Sequence, residues 1–189
     1  MTVPSPEAPV RLLIVSDTHV PARARDVPHA VWDAVDAADV VVHAGDWVSE
    51  ALLDAVLERL ATPHERRGGR PGRLLAVAGN NDGARLHERL PEVARATLGG
   101  VRLAVVHETG PTEGRERRCE RTYGADTDVL VFGHSHIPWD STTDSGLRLL
   151  NPGSPTDRRR QPALTYLTAT AAEGTLHDVV LHRLAPGTR

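Results

Sequence analysis

Cysteine, methionine and aromatic side chains are nearly missing from this chain. Its 189 residues include one cysteine, one methionine, one phenylalanine, two tyrosines and three tryptophans, and aromatics make up only 3%. A lone Cys119 excludes an internal disulfide. A core so poor in rings must be built from Ala, Val and Leu, which suits strands and helices packed in layers. Also missing is an apolar run of about eighteen residues, the minimum for a membrane-spanning helix. The opening MTVPSPEAPV has neither the basic nor the apolar segment of a secretory signal. These absences predict a cytoplasmic protein with no membrane partner. A net charge of −3 without a dense basic stripe supplies no footprint for nucleic acid and leaves small anions as ligands. The length predicts one domain over residues 1–189, with a core at about 11–183 and frayed ends, including everything after Leu184. There is no internal repeat, and oligomeric state is left open, a homo-oligomer included.

Histidine, by contrast, is plentiful, with ten copies. Their positions matter more than their number. Short apolar runs alternate with helical patterns through the first two thirds. Strands are expected at residues 11–15, 40–42, 74–78, 94–98, 101–106 and 129–132, with Gly99-Gly100 marking a hairpin. Helices are expected at 27–36, from an N-cap at Ser49 through Leu60, at 84–90 and at 113–123. The tail reads as strands at 147–150, 163–170 and 175–181. This order predicts an α/β layered sandwich whose second sheet is antiparallel. The stretch RRGGRPGR (Arg66–Arg73) reads as a solvated basic connection.

The buried strands end in similar chemistry. Val15 runs into Ser16-Asp17-Thr18-His19, Val42 into His43-Ala44-Gly45-Asp46, Ala78 into Gly79-Asn80-Asn81-Asp82, Val106 into His107, and Phe132 into Gly133-His134-Ser135-His136. In open α/β sheets the carboxyl ends of the strands line one edge, where ligands bind. A turn alone accounts for any one of these stretches, but five of them in this order predict one polar site. Residues i and i+2 of an extended segment share a side, so Asp17 pairs with His19 and His134 with His136. Glycines 45, 79 and 133 permit close backbone approach. Carboxylate, imidazole and amide donors favour Mn, Fe, Zn or similar divalent cations over Ca. Seven such residues are too many for one ion and suit two sharing a carboxylate. His43 is expected behind the ligands and His64 on the surface.

The ordered set DTH, GD, GNND, a lone His after an apolar run, and GHSH resembles the calcineurin-like metallophosphoesterase superfamily. The trailing NPGS (Asn151–Ser154) resembles its small bacterial and archaeal phosphodiesterase branch, to which a retromer subunit is related. The resemblance spans about Leu12 to Ser154. It implies a four-layer α/β/β/α sandwich of two mixed sheets and two divalent transition-metal ions, commonly Mn²⁺, with Fe, Zn, Co or Ni as substitutes. By resemblance, Asp17, His19 and His136 hold the first ion; Asn80, His107 and His134 hold the second; Asp46 bridges them. A hydroxide between two ions about 3.5 to 4 Å apart would then attack a small phosphoester in line.

Two departures stand out. Glu108 follows His107 where the family usually has Gly. Asn81 fills the slot where larger members carry a histidine able to protonate the leaving group, a contribution worth about 10² to 10⁴ in rate. Asn81 is therefore expected to bind substrate and stabilise the leaving oxygen by hydrogen bonding, with phosphodiesters and good leaving groups preferred. Asp82 is expected either on a ligand histidine or as a helix N-cap and Ser154 near the substrate phosphate, whereas Arg158–Arg160 read as a solvated loop, with phosphate contact as the alternative. The alternative reading is a non-catalytic protein-binding scaffold, as in the retromer subunit, that keeps its metal site.

Overall fold

The structure, a computed structural model, describes residues 8–184. The expectation of fraying after Leu184 lies outside the described residues. Two five-stranded sheets form the centre. The first has the order β10-β9-β1-β2-β3, from β1 (Val10–Val15), β2 (Val40–His43), β3 (Arg73–Ala76), β9 (Leu164–Ala172) and β10 (Thr175–Leu184). The second has the order β4-β5-β6-β8-β7, from β4 (Val93–Leu98), β5 (Val101–Val106), β6 (Val129–Val131), β7 (Trp139–Thr142) and β8 (Arg148–Asn151). Among the described residues four α-helices accompany them: α1 (His29–Ala37), α2 (Glu50–Ala61), α3 (Ala84–Arg89) and α4 (Arg115–Tyr123).

Alternation along the strands sorts the core into layers. Leu12 and Ile14 of β1 face the second sheet and pack with Val101, Leu103, Val105 and Val131. Leu13 and Val15, one residue out of phase, face outward onto Val31 and Val35 of α1 and Leu52, Leu53 and Val56 of α2. On the far side, Ala104, Val106 and Leu130 cover Cys119 of α4. A period of two on each strand thus produces helix, sheet, sheet and helix layers with few aromatic side chains, Trp47, Phe132 and Tyr166 among them.

Both sheets are mixed. The expected antiparallel second sheet is corrected: β5, β6 and β8 run parallel, with β4 and β7 antiparallel at the edges. The tail strands β9 and β10 join the first sheet instead, β9 pairing with β1. Apolar runs specify buried strands but not their partners. Strand β7, WDST, falls where the apolar pattern predicts no strand, because a half-exposed edge strand needs only one apolar side chain. Gly99 and Gly100 form the expected β4–β5 turn with φ of 53° and 81°. Ser49 caps α2, its Oγ accepting from the Ala51 amide at 3.1 Å.

RRGGRPGR departs from the solvated connection expected of it. Arg67 is buried, 1% exposed. Its guanidinium donates to the carbonyls of Val35, Asp36, Arg59, Thr62 and Arg70 at 2.5 to 3.2 Å. Those carbonyls include the ends of α1 and α2, where backbone acceptors lack partners within the helix and a cation suits the helix dipole.

Candidate metal centre

The carboxyl ends of β1, β2, β3, β5 and β6, drawn from both sheets, converge on one edge. Here the chain abandons ordinary backbone geometry. Asp17, His19, Asp46, His134 and His136 all adopt left-handed φ values of 44° to 67°. Each such residue costs on the order of 1–3 kcal/mol, and such strain clusters at functional sites. The left-handed turn at the end of each strand swings its side chain into the shared space.

Three glycines make that convergence possible, as expected. A Cβ on Gly79 would collide with the backbone N and Oδ1 of Asp46, and one on Gly133 with Ser16 Oγ. A Cβ on Gly45, which has φ of 89°, would stand 2.7 Å from His107 Nδ1. The loops pack so closely that only hydrogen fits between them.

Two groups of buried donors result: Asp17, His19 and His136, and Asp17, Asp46 and His107. His19 Nε2 lies 3.2 Å from His136 Nε2. Asp46 Oδ2 lies 3.5 Å from His19 Nε2 and 3.4 Å from His107 Nε2, between the two groups. Asn80 Oδ1 lies 2.9 Å from both His107 Nε2 and His134 Nδ1. All seven residues that the sequence singled out as ligands are therefore within one cluster.

Hydrogen bonds from behind aim these groups. His107 Nδ1 donates to the Ala44 carbonyl at 2.7 Å and His136 Nδ1 to that of Asp157 at 2.6 Å. Each bond commits Nδ1 as the donor and turns Nε2 inward, where the neutral ring offers a lone pair. Asp17 Oδ2 is buried with no hydrogen-bond partner. Inward lone pairs on His136 and His107, the Asp46 carboxylate, the Asn80 carbonyl and an orphaned Asp17 oxygen make a nest of acceptors short of donors. Such an arrangement is costly to bury unless positive charge lies among it, so the residues fit divalent cations.

The titration behaviour agrees. Burial pushes the Asp46 carboxyl up, but hydrogen bonds and charge from His107 and the Asn81 amides outweigh it and hold Asp46 well below the carboxylate range. Burial lowers His107, yet the Asp46 carboxylate prevails and raises it. At His19 burial prevails over the pull of Asp46 and Asp17 and lowers it. The field at Asp46 favours positive charge beside it.

The residues around this cluster differ in part from expectation. Asp82 neither touches a ligand histidine nor caps α3. Its Oδ1 accepts from the Val48 amide at 2.6 Å and its Oδ2 from the Gly79 amide at 2.8 Å, tying the Asp46 loop to GNND. Gly83 takes the N-cap position of α3. Ser154 does not face substrate: it is buried and donates to the Asp17 carbonyl at 2.7 Å. Asn81 donates its backbone N–H to Asp46 Oδ1 at 2.8 Å and its amide to Oδ2 at 2.7 Å. Of the three arginines, Arg159 approaches the cluster, its Nη1 3.2 Å from the His134 carbonyl, whereas Arg158 turns back to Gln161. Glu108 is exposed. His43 lies behind the ligands as expected, stacked on buried Trp47 at 3.5 Å, and His64 caps the short turn at Glu65–Arg67 on the surface.

Thr156, and Asn151 beyond its place in NPGS, have supporting roles that the sequence did not single out. Asn151 is fully buried, donating to the Gly133 carbonyl and accepting from the Gly153 amide, both at 2.8 Å. Thr156 Oγ1 donates to the Thr18 carbonyl at 2.6 Å. The Asn-x-Gly spacing of NPGS signals an Asx turn, though not the loop it braces.

Comparison with known proteins agrees with this centre. Residues 10–174 match the family model for the calcineurin-like phosphoesterase superfamily domain. A protein from Methanocaldococcus jannaschii, named a probable metallophosphoesterase, is 33% identical over 146 residues, covering 76% of this chain and 67% of its own. Among solved structures, Vps29 from Entamoeba histolytica complexed with Zn²⁺ shares the fold with a TM-score of 0.66 at 19% identity, covering 92% of this chain and 98% of that one. A structure described as a novel archaeal phosphodiesterase has a TM-score of 0.63 at 19% identity, covering 91% of this chain and 99% of that one. With a family match across most of its length and the donor cluster where the strands end, the chain belongs to the calcineurin-like phosphoesterase superfamily.

Proposed function

We propose that this protein hydrolyses phosphodiesters in preference to phosphomonoesters, using two divalent cations. One observation carries the reading: imidazole, carboxylate and amide acceptors from five strand ends gather in one cluster, within which the buried Oδ2 of Asp17 has no donor. Asp17, His19 and His136 would hold one ion, Asn80, His107 and His134 the other, with Asp46 between them. Borderline nitrogen and oxygen donors suit Mn²⁺, and Fe, Zn, Co or Ni would fit the same set. When bound, the pair supplies positive charge that makes water acidic and neutralises phosphate oxygens.

The chain's own groups do the positioning. His107 and His136 are held in one tautomer by backbone carbonyls, so neither needs to reorient. Asn81 has a second amide hydrogen beyond the one given to Asp46, and this can meet a phosphate or leaving oxygen. It has no proton to transfer. That favours leaving groups that depart unaided, and a diester's single negative charge asks less of the site than a monoester dianion.

The test is hydrolysis, with Mn²⁺ present, of a diester and a monoester sharing one leaving group. The expected result is faster diester cleavage, lost on chelation and in Asp46→Ala; a clear monoester preference overturns the choice of substrate. Asn81→His should accelerate esters of poor leaving groups most. Absence of any turnover that depends on Asp46, together with no bound transition metal, would favour the protein-binding scaffold that the Vps29 fold likeness suggests.

A further inference from the structure

Beside the cluster, over His19 and Asn81, lies an open cavity of about 290 Å³ whose far wall carries Arg23, Asp157 and Arg159. Neither arginine serves the core. Arg23 is exposed, and its one carboxylate neighbour is Asp157 Oδ2 at 3.6 Å from Nε, beyond hydrogen-bond length. Arg159 is also exposed, with a left-handed φ of 48° that a non-glycine residue adopts at a cost, and among the described residues its guanidinium meets only the His134 carbonyl. The wall is anchored to the metal centre, because the Asp157 carbonyl receives His136 Nδ1 and Ser154 of the same loop holds Asp17. Asp157 is itself engaged: Oδ1 accepts from the Arg159 amide at 3.1 Å, and Oδ2 stands 3.9 Å from His136 Nδ1. Two guanidinium groups against one occupied carboxylate leave the cavity net cationic.

Resting on the phosphodiesterase reading, we infer that Arg23 and Arg159 select diesters in which one arm ends in a second anionic group, a terminal phosphate, seated in this cavity beside Asn81. The volume is at the small end for ligand pockets, which suits a short arm rather than a polymer. Guanidinium groups match phosphate through paired, charge-assisted hydrogen bonds. The same arrangement compensates for the missing proton donor at Asn81, since binding energy from the remote phosphate helps orient the ester.

Binding and turnover test this separately. Calorimetry on the Mn²⁺-loaded protein would compare propane-1,3-diol bisphosphate with 3-hydroxypropyl phosphate, and kinetics would compare 4-nitrophenyl diesters whose propyl arm ends in phosphate or hydroxyl. The phosphate-ended member of each pair should be favoured by about tenfold, through Kd and KM. Arg23→Ala and Arg159→Ala should each shrink that ratio several-fold, and the double variant should bring it near one. Arg102→Ala, at the opposite end of β5, should preserve it. Equal binding of the two ligands by the unaltered protein, or a ratio indifferent to both arginines, overturns the inference even if both diesters are cleaved. Tighter binding of the bisphosphate without turnover of either diester would instead overturn the phosphodiesterase reading and leave the anion site standing.

Discussion

Strand β3 is flanked by two polar, glycine-bearing loops that look alike in sequence and differ in kind. Upstream, RRGGRPGR buries Arg67 and satisfies it with five backbone carbonyls. Downstream, GNND brings Asn80 and Asn81 to a cluster where Asp17 Oδ2 is buried without any partner. A buried polar group whose bonds are all made belongs to the fold, and one left short of donors marks a place where something else binds. The distinction is one of accounting, and composition does not reveal it.

Substitutions can break the comparison. The largest effect is expected for Asp17→Asn, which removes the carboxylate common to both donor groups. Turnover should fall at least about 10³-fold, while urea denaturation should show the metal-free protein no less stable, since the amide keeps an acceptor for the His134 N–H and removes a buried acceptor that has no donor. Marked destabilisation would place Asp17 with Arg67 as a fold residue.

Arg67→Ala is the opposite case. It strips partners from the ends of α1 and α2 and should cost about 3 kcal/mol by urea denaturation, with activity per folded molecule retained. Asp82→Ala falls between the two, because its carboxylate ties Val48 to Gly79 next to the ligands. A loss of about 1–3 kcal/mol is expected, together with weaker Mn²⁺ binding by calorimetry. Unchanged metal affinity would show that the clamp serves stability alone.

The smallest effect concerns His43. Burial foremost, then the charge of His107, holds its pKa well below the ordinary 6.5, with Asp46 opposing. The unfolded chain therefore takes up the proton first. His43 adds no penalty above its unfolded pKa, and stability is lost as pH falls below that value towards the folded one. Urea midpoints of metal-free protein at about pH 7.5 and about pH 5.5 should differ less in His43→Gln than in the unaltered chain. Equal slopes would mean that His43 is not the group responsible.

Much of the site was legible because strand ends are easy to read. An apolar run closed by Asp, His or Asn marks both where a strand stops and what it presents, and seven such residues meet in one cluster. The supports were harder to see. Ser154, Asn151, Thr156 and Asp82 each also reach a backbone carbonyl or amide of a loop distant in sequence, and nothing in their own neighbourhood names that partner. Arg67 was misread because a basic, glycine-rich stretch has the composition of a surface loop whether or not one of its side chains turns inward.

Local physics in the sequence alone determined the apolar strands, the glycines where loops must touch, the ligand types and the β4–β5 hairpin, because each depends on residues a few positions apart. Only the tertiary structure decided that β9 and β10 complete the first sheet, that β5, β6 and β8 run parallel, and that Arg23 and Arg159 share a wall beside His19. Those outcomes depend on which distant surfaces bury one another, and many pairings of Val- and Leu-rich strands satisfy the same pattern until the whole core is packed.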